Sequence, residues 1–528
     1  MNKLLCKLKR KKYKKMKLVH LKKILPLIVL SALLLTNCDD KWDEHYNQDT
    51  FDIPDYSLSE YIAQTPELSI FYHMLKQTGY DIILASLQSY TVWVPINNAL
   101  TGIDTTNKEL VKQIVENHIT RGRITTSGVE NERVKMLSGK LIDFERNGSN
   151  ILFGNNTILE ANIYTKNGLI HTIDGYAPYL NNLWEFIGVH ENFDSLSAFI
   201  YGETKKIFDP VNSIEIYRND TTGEVIYDSA YKTSNLFLEE VGSIDNEDST
   251  YTALLPDNTA WTEAYTNIEK YFNFPDNGGG EKRKRSMTQY TLVNDMLYRG
   301  LFENPASMSE ITSTGGHTFQ NPGFIFNNTY ETTVLSNGIA HITGQMPKLD
   351  TSSWFKEIRI EAEDQDGRIN HNNIIFSRTS YGSGLKVSDD KYILADPTAA
   401  ESSVEFEIPN TLSATYNIYC VFVPATIVDA TDTIPTKVRF VLTFIRRISG
   451  STFITRITPE VNTTSATGVT KMLVDQFEFD YANIIDEDYD EVAVKLEVIN
   501  DVTSDEEHEG SFSRTMRIDC IILEPVFE

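Results

Sequence analysis

Cysteine, tryptophan and recognisable catalytic motifs are all scarce in this sequence of 528 residues. Four Cys and five Trp occur in the whole chain, which excludes a fold that depends on a dense disulfide framework. The sequence contains no Gly-x-Ser-x-Gly motif, no glycine-rich phosphate loop after a strand and no pair of His residues at zinc-binding spacing. These absences favour a protein that binds over one that catalyses.

Positive charge is scarce beyond the first residues of the chain. The sequence has 48 Lys and Arg against 74 Asp and Glu, a formal net charge of −26, yet residues 1–37 contain basic residues and no acidic ones. The remainder is therefore strongly acidic and repels phosphate backbones, which excludes nucleic acid as a partner. With 41% hydrophobic and 23% charged residues, the composition is that of a globular protein.

The N-terminus combines a basic stretch with an apolar run at residues 24–35. This run is too short to cross a bilayer core, which takes about 20 residues, and the pattern is typical of a secretory signal. Leu35-Thr36-Asn37-Cys38 resembles a bacterial lipobox. The resemblance implies a lipoprotein signal peptide at residues 1–37 and acylation of Cys38. The sequence leaves open whether the signal starts at Met1 or Met16.

An acidic segment, expected to be a tether over residues 38–55, follows the lipobox. Its first charged residues resemble the surface-export signal of lipoproteins in Gram-negative gut bacteria: Asp39, Asp40, Asp43 and Glu44. That resemblance implies a protein anchored by lipid in the outer membrane and facing the cell exterior. The alternative is a plain solvated leash, because so polar a segment cannot bury enough apolar surface to fold.

Residues 56–182 show helical spacing, a buried strand, a second helical pattern and several short strands. Residues 90–100 and 167–174 resemble the two conserved boxes of a fasciclin domain, which implies an α+β fold. The histidines His118 and His171 match positions that help to organise that fold. We therefore expect them to be buried structural residues rather than metal ligands.

The two boxes recur further along the chain, at residues 250–261 and 335–343. This internal repeat predicts a second fasciclin-like domain at residues 190–347, in which we expect His341 to be another core histidine. The second copy differs by a longer run at residues 212–248 and by a basic segment at residues 277–285. We interpret the basic segment as a solvated loop.

Residues 355–528 alternate polar and apolar positions over many short stretches, which predicts an all-β antiparallel sandwich. Residues 360–364, 381–384 and 517–525 resemble carbohydrate-binding jelly rolls of the galactose-binding type. The resemblance implies a glycan ligand and a structural calcium ion, which here would be held by Glu361, Glu363 and Asp519. Without a Trp after Trp354, the stacking candidates are Tyr381 and Tyr392, with Tyr419 as a further option.

Cys420 and Cys520 lie on predicted strands of the sandwich. An oxidising compartment allows a disulfide between them, but buried free thiols are equally compatible with their apolar neighbours. The sequence leaves the pairing open.

The fold class expected is thus two tandem α+β fasciclin-like domains followed by an antiparallel jelly-roll sandwich. Lipoproteins of this kind resemble accessory components of TonB-dependent outer-membrane importers, which act with a substrate-binding lipoprotein. The predicted function is non-enzymatic capture of an extracellular glycan or other polymer for such an importer. Two alternatives remain: adhesion to host matrix or neighbouring cells, and an enzyme whose site is assembled only in three dimensions.

Overall fold

The computed structural model describes residues 54–218, 225–349, 352–485 and 489–527. The chain divides into two compact units, one ending at Tyr179 and the other beginning at Leu180. The predicted signal peptide, Cys38 and the acidic cluster at residues 39–44 lie outside the described residues. No helix within the described ranges is long and apolar enough to cross a membrane.

The first unit is built on one seven-stranded sheet. Its helices are α1 (Leu58–Gln64), α2 (Ser69–Thr78), α3 (Tyr80–Ile83) and α4 (Lys108–Glu116). Its strands are β1 (Tyr90–Pro95), β2 (Ile119–Arg121), β3 (Asn131–Lys135), β4 (Leu141–Asn147), β5 (Asn150–Phe153), β6 (Asn156–Thr165) and β7 (Gly168–Ile173). The strand order is β2-β1-β7-β6-β5-β4-β3, and β1 and β7 run parallel while the other pairs are antiparallel.

A buried asparagine ties the parallel pair to the first helix. Asn167 Oδ1 accepts a hydrogen bond from the Leu58 N–H at 2.9 Å. Its Nδ2 donates to the carbonyls of Leu84 at 2.8 Å and Ser86 at 2.6 Å. One side chain thus pairs three backbone groups from two segments, the start of α1 and the turn that follows α3.

The second unit begins with a copy of this frame. Its helices are α5 (Leu183–Val189), α6 (Asp194–Gly202), α7 (Leu236–Glu240), α8 (Asn258–Ile268), α9 (Gly280–Val293) and α10 (Gly323–Phe326). Its frame strands are β12 (Tyr251–Pro256), β13 (Leu297–Arg299), β16 (Thr329–Leu335) and β17 (Gly338–Thr343), in the order β13-β12-β17-β16 with β12 parallel to β17. Short two-stranded ribbons are added by β8 (Thr204–Phe208) with β11 (Tyr231–Asn235), β9 (Ile214–Arg218) with β10 (Val225–Asp228), and β14 (Glu310–Thr312) with β15 (Thr318–Gln320).

The match between the repeats extends to single side chains. Asn337 Oδ1 accepts from the Leu183 N–H at 2.9 Å, as Asn167 does in the first repeat. The residue that follows is glycine in both copies, because a Cβ at Gly168 would lie 2.1 Å from the carbonyl oxygen of Tyr90, and one at Gly338 would lie 2.6 Å from that of Tyr251. The predicted internal repeat is therefore a repeat of structure as well as of sequence.

The rest of the second unit is an antiparallel sandwich. One sheet has the order β20-β21-β29-β23-β27, with β18 also paired to β29, and contains β18 (Ile358–Glu361), β20 (Asn373–Thr379), β21 (Lys391–Pro397), β23 (Thr415–Phe422), β27 (Thr470–Glu478) and β29 (Met516–Pro525). The other has the order β19-β22-β28-β24-β25, with β26 paired to β24, and contains β19 (Arg368–His371), β22 (Ser403–Glu407), β24 (Lys437–Ile448), β25 (Ser451–Ile457), β26 (Asn462–Thr463) and β28 (Val492–Asn500). A short helix, α11 (Ser504–His508), precedes β29.

The sandwich core follows the alternation seen in the sequence. On β24 every second side chain is buried, from Val438 through Phe440 and Leu442 to Phe444. These residues pack with the inward-facing residues of the opposite sheet in one hydrophobic cluster. The predicted fold class, α+β repeats followed by an antiparallel sandwich, is confirmed, whereas the predicted domain boundaries stay predictions.

The basic segment at residues 277–285 is not the solvated loop that we expected. It passes through a short 3-10 turn into α9, whose helix starts at Gly280. The Arg283 guanidinium lies between the rings of Phe274, at 4.3 Å, and Tyr489, at 4.6 Å, and donates to the Ile484 carbonyl at 3.0 Å. Since Phe274 also belongs to the sandwich core cluster, this segment joins the second repeat to the sandwich.

Candidate functional site

A β-bulge shapes the outer face of the sheet that contains β29. Between Ile518 and Ile521, β29 has one residue more than the facing stretch of β23. A bulge of this kind re-aims side chains: Ile518 and Ile521 both point into the core, and Cys520 packs in a small cluster on the other face. Asp519 and Cys520 are consequently brought to the same outer surface.

Two of the three predicted calcium ligands, Glu361 and Asp519, lie together at this bulge, with Cys520 beside them and Glu363 outside the group. The ligand atoms of Glu361, Asp519 and Cys520 lie within 4.8 Å of one another. Ser388 bridges the two acids, since its N–H donates to Asp519 Oδ1 at 3.1 Å and its hydroxyl to Glu361 Oε1 at 2.6 Å. Oε2 of Glu361 and Oε2 of Glu363 are buried and have no hydrogen-bond partner among the described residues.

Burial dominates the electrostatics of this acidic cluster. Burial, together with the nearby Glu361 carboxylate, raises the pKa of the Asp519 carboxyl to about 7 against the opposing effect of the Ser388 amide. Burial likewise raises the pKa of Glu361 and raises that of the Cys520 thiol to about 12. The donors available near neutral pH are therefore carboxylate oxygens, the ligands preferred by hard cations such as calcium, and not a thiolate.

One cationic side chain already borders the cluster. Arg359 Nη1 lies 3.7 Å from Cys520 Sγ and 3.3 Å from Ser388 Oγ, and Nη2 pairs with Glu357 at 2.6 Å. Arg359 makes no hydrogen bond to Oε2 of Glu361 or to Oε2 of Glu363. The residues present therefore fit a bound cation at Glu361 and Asp519, and the neighbouring Glu363, whose charge acts on Asp519, has a buried oxygen without a partner among the described residues.

The two predicted stacking tyrosines differ sharply in exposure. Tyr381 stands 88% exposed on the loop after β20. Tyr392 is only 1% exposed, so the expectation that a ligand stacks on it is wrong. Tyr392 precedes the core residue Ile393 on β21 and lies beneath other parts of the fold, where alternation along the strand could not reveal that it is covered.

The outer face of this sheet also carries apolar residues that the sequence did not single out. On the edge strand β20, Ile374 is 53% exposed and Phe376 is 39% exposed. The Arg378 guanidinium lies 4.7 Å from the Phe376 ring. Together with Tyr381 on the loop that follows β20, these residues are what we call the edge face of the sandwich, which presents exposed apolar side chains and a guanidinium donor.

A second candidate site lies where the second repeat meets the sandwich. A cleft of about 490 Å³ opens there, which we call the junction cleft. Its lining combines aromatic, aliphatic and polar side chains from α8, α9, the turns that follow them, the segment after β17 and the segment after β29: Ala264, Asn267, Ile268, Lys270, Tyr271, Thr291, Leu292, Asp295, Met346, Pro347, Lys348, Leu349, Trp354 and Phe527. These segments are far apart in sequence, so no linear motif could have indicated the cleft.

Beside the cleft, a buried aspartate gathers hydroxyl and imidazole donors. Asp295 Oδ1 accepts from Ser313 at 2.5 Å and lies 2.9 Å from His317 Nδ1. Ser353 donates to the other carboxylate oxygen and lies 3.3 Å from the same His317 nitrogen. A nucleophilic serine would need the opposite imidazole nitrogen as its base, so this cluster does not form a Ser-His-Asp catalytic triad.

The three histidines expected to be core residues, His118, His171 and His341, are buried, as predicted. His118 and His171 are fully buried and His341 is 4% exposed. His118 Nε2 accepts from the Ala177 N–H at 3.0 Å, and burial lowers the pKa of His118 to about 4. A neutral imidazole that serves as a backbone acceptor has a structural role.

The open question of the disulfide is settled by the positions of the two thiols. Cys420 and Cys520 are both free and buried. Cys420 packs in the sandwich core, whereas Cys520 packs in the small cluster on the other face of the sheet. The two side chains are on opposite sides of one sheet and do not bridge.

Residues 66–176 match the fasciclin domain family. Protein sll1483 of Synechocystis sp. is 27% identical over 127 residues, which cover 22% of this chain and 71% of that protein. A FAS1 domain pair from the insect cell adhesion molecule fasciclin I aligns with 13% identity and a TM-score of 0.21, over 54% of this chain and 97% of that one. The C-terminal family 22 carbohydrate binding module of Clostridium thermocellum Xyn10B aligns with 12% identity and a TM-score of 0.20, over 34% of this chain and 97% of that one.

Proposed function

We propose that this protein binds glycans non-enzymatically through the edge face of its sandwich. The observation that carries the proposal is the exposure of Tyr381 and Phe376 beside Arg378 on one sheet edge. Sugar rings present apolar C–H faces and hydroxyl groups, and binding sites commonly combine apolar side chains with a few placed polar groups.

Electrophoresis of the purified protein through gels containing single polysaccharides tests this proposal. We expect retention by at least one neutral or acidic polymer, and the variants Tyr381→Ala and Phe376→Ala should weaken it by about tenfold or more. Phe453→Ala is the matched control, because Phe453 is 49% exposed on β25 of the other sheet. Equal retention of all three variants, or turnover of any polymer, would contradict the proposal.

We further propose that Glu361, Glu363 and Asp519 hold a structural calcium ion that fixes the loop carrying Ser388. The folded-state pKa of Asp519, about 7, lies above its ordinary value of 3.8. Protonation of Asp519 therefore stabilises the folded state fully below about pH 4, and this stabilisation is lost as the pH rises through about 7. A bound cation replaces the proton, so calcium should matter most at high pH.

Thermal unfolding with calcium or with a chelator checks the cation proposal. Calcium should raise the Tm by about 4 °C or more near pH 8, and much less near pH 5. Asp519→Asn should abolish the calcium response, while the exposed-acid control Asp366→Asn should keep it. A calcium response of the same size at both pH values would argue against these ligands.

The location of the protein is a separate proposal, which rests on the sequence alone. We propose acylation of Cys38, export to the outer surface of the outer membrane by Asp39, Asp40, Asp43 and Glu44, and association with a TonB-dependent importer and its substrate-binding lipoprotein. Labelled fatty acid should enter the protein but not Cys38→Ser, and protease added to intact cells should digest it. Replacing the four acids with Ala should protect it. Binding to host matrix without glycan retention would instead favour adhesion.

A further inference from the structure

The junction cleft has the construction of a small-molecule site. Its volume of about 490 Å³ falls within the roughly 300–1,000 Å³ typical of ligand pockets. Trp354, Tyr271 and Phe527 contribute three aromatic rings to its lining. The Trp354 ring lies 5.1 Å from that of Tyr271 and is stacked on Phe355 at 5.6 Å. These rings support one another, so the apolar surface is present before a ligand arrives.

The wall that carries Trp354 is also held in place from behind. Ser353, the preceding residue, donates a hydrogen bond to the buried Asp295 carboxylate, which Ser313 and His317 also contact. A ring fixed in this way loses little conformational freedom when a ligand stacks on it.

The charge around the cleft is opposite to that of the whole chain. Lys270 and Lys348 are exposed and line the cleft. The single acid in the lining, Asp295, is buried and directs its oxygens to three donors. The part of the lining that the structure describes contains these two lysines and no exposed acid. In a chain of net charge −26, this concentration of positive charge favours an anion.

We propose that the junction cleft binds an acidic oligosaccharide of carboxylate-bearing sugars. The sugar rings pack on Trp354 and Tyr271, and the carboxylates pair with Lys270 and Lys348. Asn267 and Thr291, which also line the cleft, form hydrogen bonds with the hydroxyl groups of the sugar. This inference rests on the proposed glycan-binding function but assigns it a second site and a class of ligand.

A phosphate-bearing ligand fits the cleft less well. Phosphate sites generally use Arg forks or glycine-rich backbone amides, and neither residue type occurs among the described residues that line the cleft. Lysine pairs with either anion as a point charge, so the lack of an Arg fork or a glycine-rich amide cradle among the described lining residues decides in favour of a carboxylate. Aromatic rings together with lysines therefore favour a uronic-acid chain.

Titration calorimetry on the purified full chain tests this inference with oligogalacturonate as the probe. The fully methyl-esterified oligomer is the matched neutral ligand. We expect the acidic probe to bind more tightly than its ester by about tenfold or more, with the preference falling at high salt. Trp354→Ala should weaken both ligands, and the double variant Lys270→Gln with Lys348→Gln should remove the preference for the acidic one.

The control is the double variant Lys205→Gln with Lys206→Gln, which makes the same change in net charge at two exposed lysines of β8. It should bind the acidic probe as the unmodified protein does. If Trp354→Ala fails to fold, the lysine variants still decide the question, because both side chains are exposed.

Three outcomes would overturn the inference. Equal affinity for the acid and its ester would remove the charge argument. Binding that is lost in Tyr381→Ala but kept in the junction-cleft variants would assign the ligand to the edge face and leave the proposed function standing. Absence of binding to any polysaccharide would instead contradict the proposed function as well.

Discussion

The two repeats share a frame, but they differ at a buried side chain that hydrogen-bonds to the segment following the last strand of the frame. In the first repeat the Trp93 N–H donates to the His118 carbonyl at 3.0 Å, and in the second the Leu254 N–H donates to the Met296 carbonyl at 2.9 Å. The residues before these carbonyls, Asn117 and Asp295, are therefore equivalent. Both are buried, but one carries an amide and the other a carboxylate.

That exchange reverses the direction of the hydrogen bonds. Asn117 Nδ2 donates to the carbonyls of Ala177 and Pro178, each at 3.1 Å, whereas Asp295 accepts from the Ser353 hydroxyl. In each repeat the partner belongs to the segment that follows the last frame strand. The same position therefore fixes the outgoing chain in both copies, and only in the second does that chain provide the wall of a cleft.

The largest effect is expected when Asn117 of the first repeat is replaced by the carboxylate that the second repeat has at the equivalent position, Asp295. In Asn117→Asp, a buried carboxylate would face the carbonyl oxygens of Ala177 and Pro178, which cannot donate to it. We expect a loss of about 3 to 5 kcal/mol in the free energy of unfolding of the first unit, measured by denaturant titration. Asn117→Ala, which removes the amide without adding a charge, should cost less; equal costs would refute the electrostatic explanation.

A smaller effect, on the pH dependence of stability, is expected at the next residue, which is His118 in the first repeat and Met296 in the second. Because burial lowers the pKa of His118 from 6.5 to about 4, its contribution to stability is fully present above about pH 6.5 and is lost as the pH falls through about 4. We expect the first unit to lose about 3 kcal/mol over this range. The equivalent position of the second unit does not titrate.

Calorimetric scans at several pH values check this difference. His118→Met, which copies the second repeat, should flatten the acid dependence of the first unit even though it removes the acceptor for the Ala177 N–H. His171→Gln is the comparison variant. Burial lowers the pKa of His171 and also that of its counterpart His341 in the second repeat, so this pair of histidines does not distinguish the two repeats. An unchanged acid dependence in His118→Met would show that other groups control it.

The frame of both repeats could be predicted from sequence because its signals are local. The buried strands at residues 90–95 and 251–256 are short apolar runs. Each strand parallel to them is preceded by an Asn, whose side chain hydrogen-bonds to the backbone, and begins with a Gly, because the neighbouring backbone is too close for a Cβ. Such features lie within a few residues of one another. A repeat search finds them without knowledge of tertiary contacts.

The candidate sites could be predicted only in part. Glu361, Glu363 and Asp519 were indicated by resemblance, but the bulge that aims Asp519 outward depends on how β29 pairs with β23, which strand alternation does not encode. The basic run at residues 277–285 is interpreted as a solvated loop from its charge, but Gly279 and Gly280 lie at the start of α9 with positive φ and the run continues into that helix. The junction cleft combines residues from 264 to 527 and had no linear signal.

The smallest expected effect comes from the reverse exchange, Asp295→Asn in the second repeat. An amide retains one acceptor oxygen, and the Ser353 hydroxyl can turn to accept from the new NH₂ group, so we expect a loss of only about 1 to 3 kcal/mol in the free energy of unfolding. The Trp354 wall should also loosen, which fluorescence quenching by a soluble quencher would detect relative to Ser313→Ala, a variant that removes one donor but leaves the Ser353 contact. A cost as large as that of Asn117→Asp would mean that the two positions are not energetically distinct, and the difference between the repeats would then lie elsewhere than in this hydrogen bond.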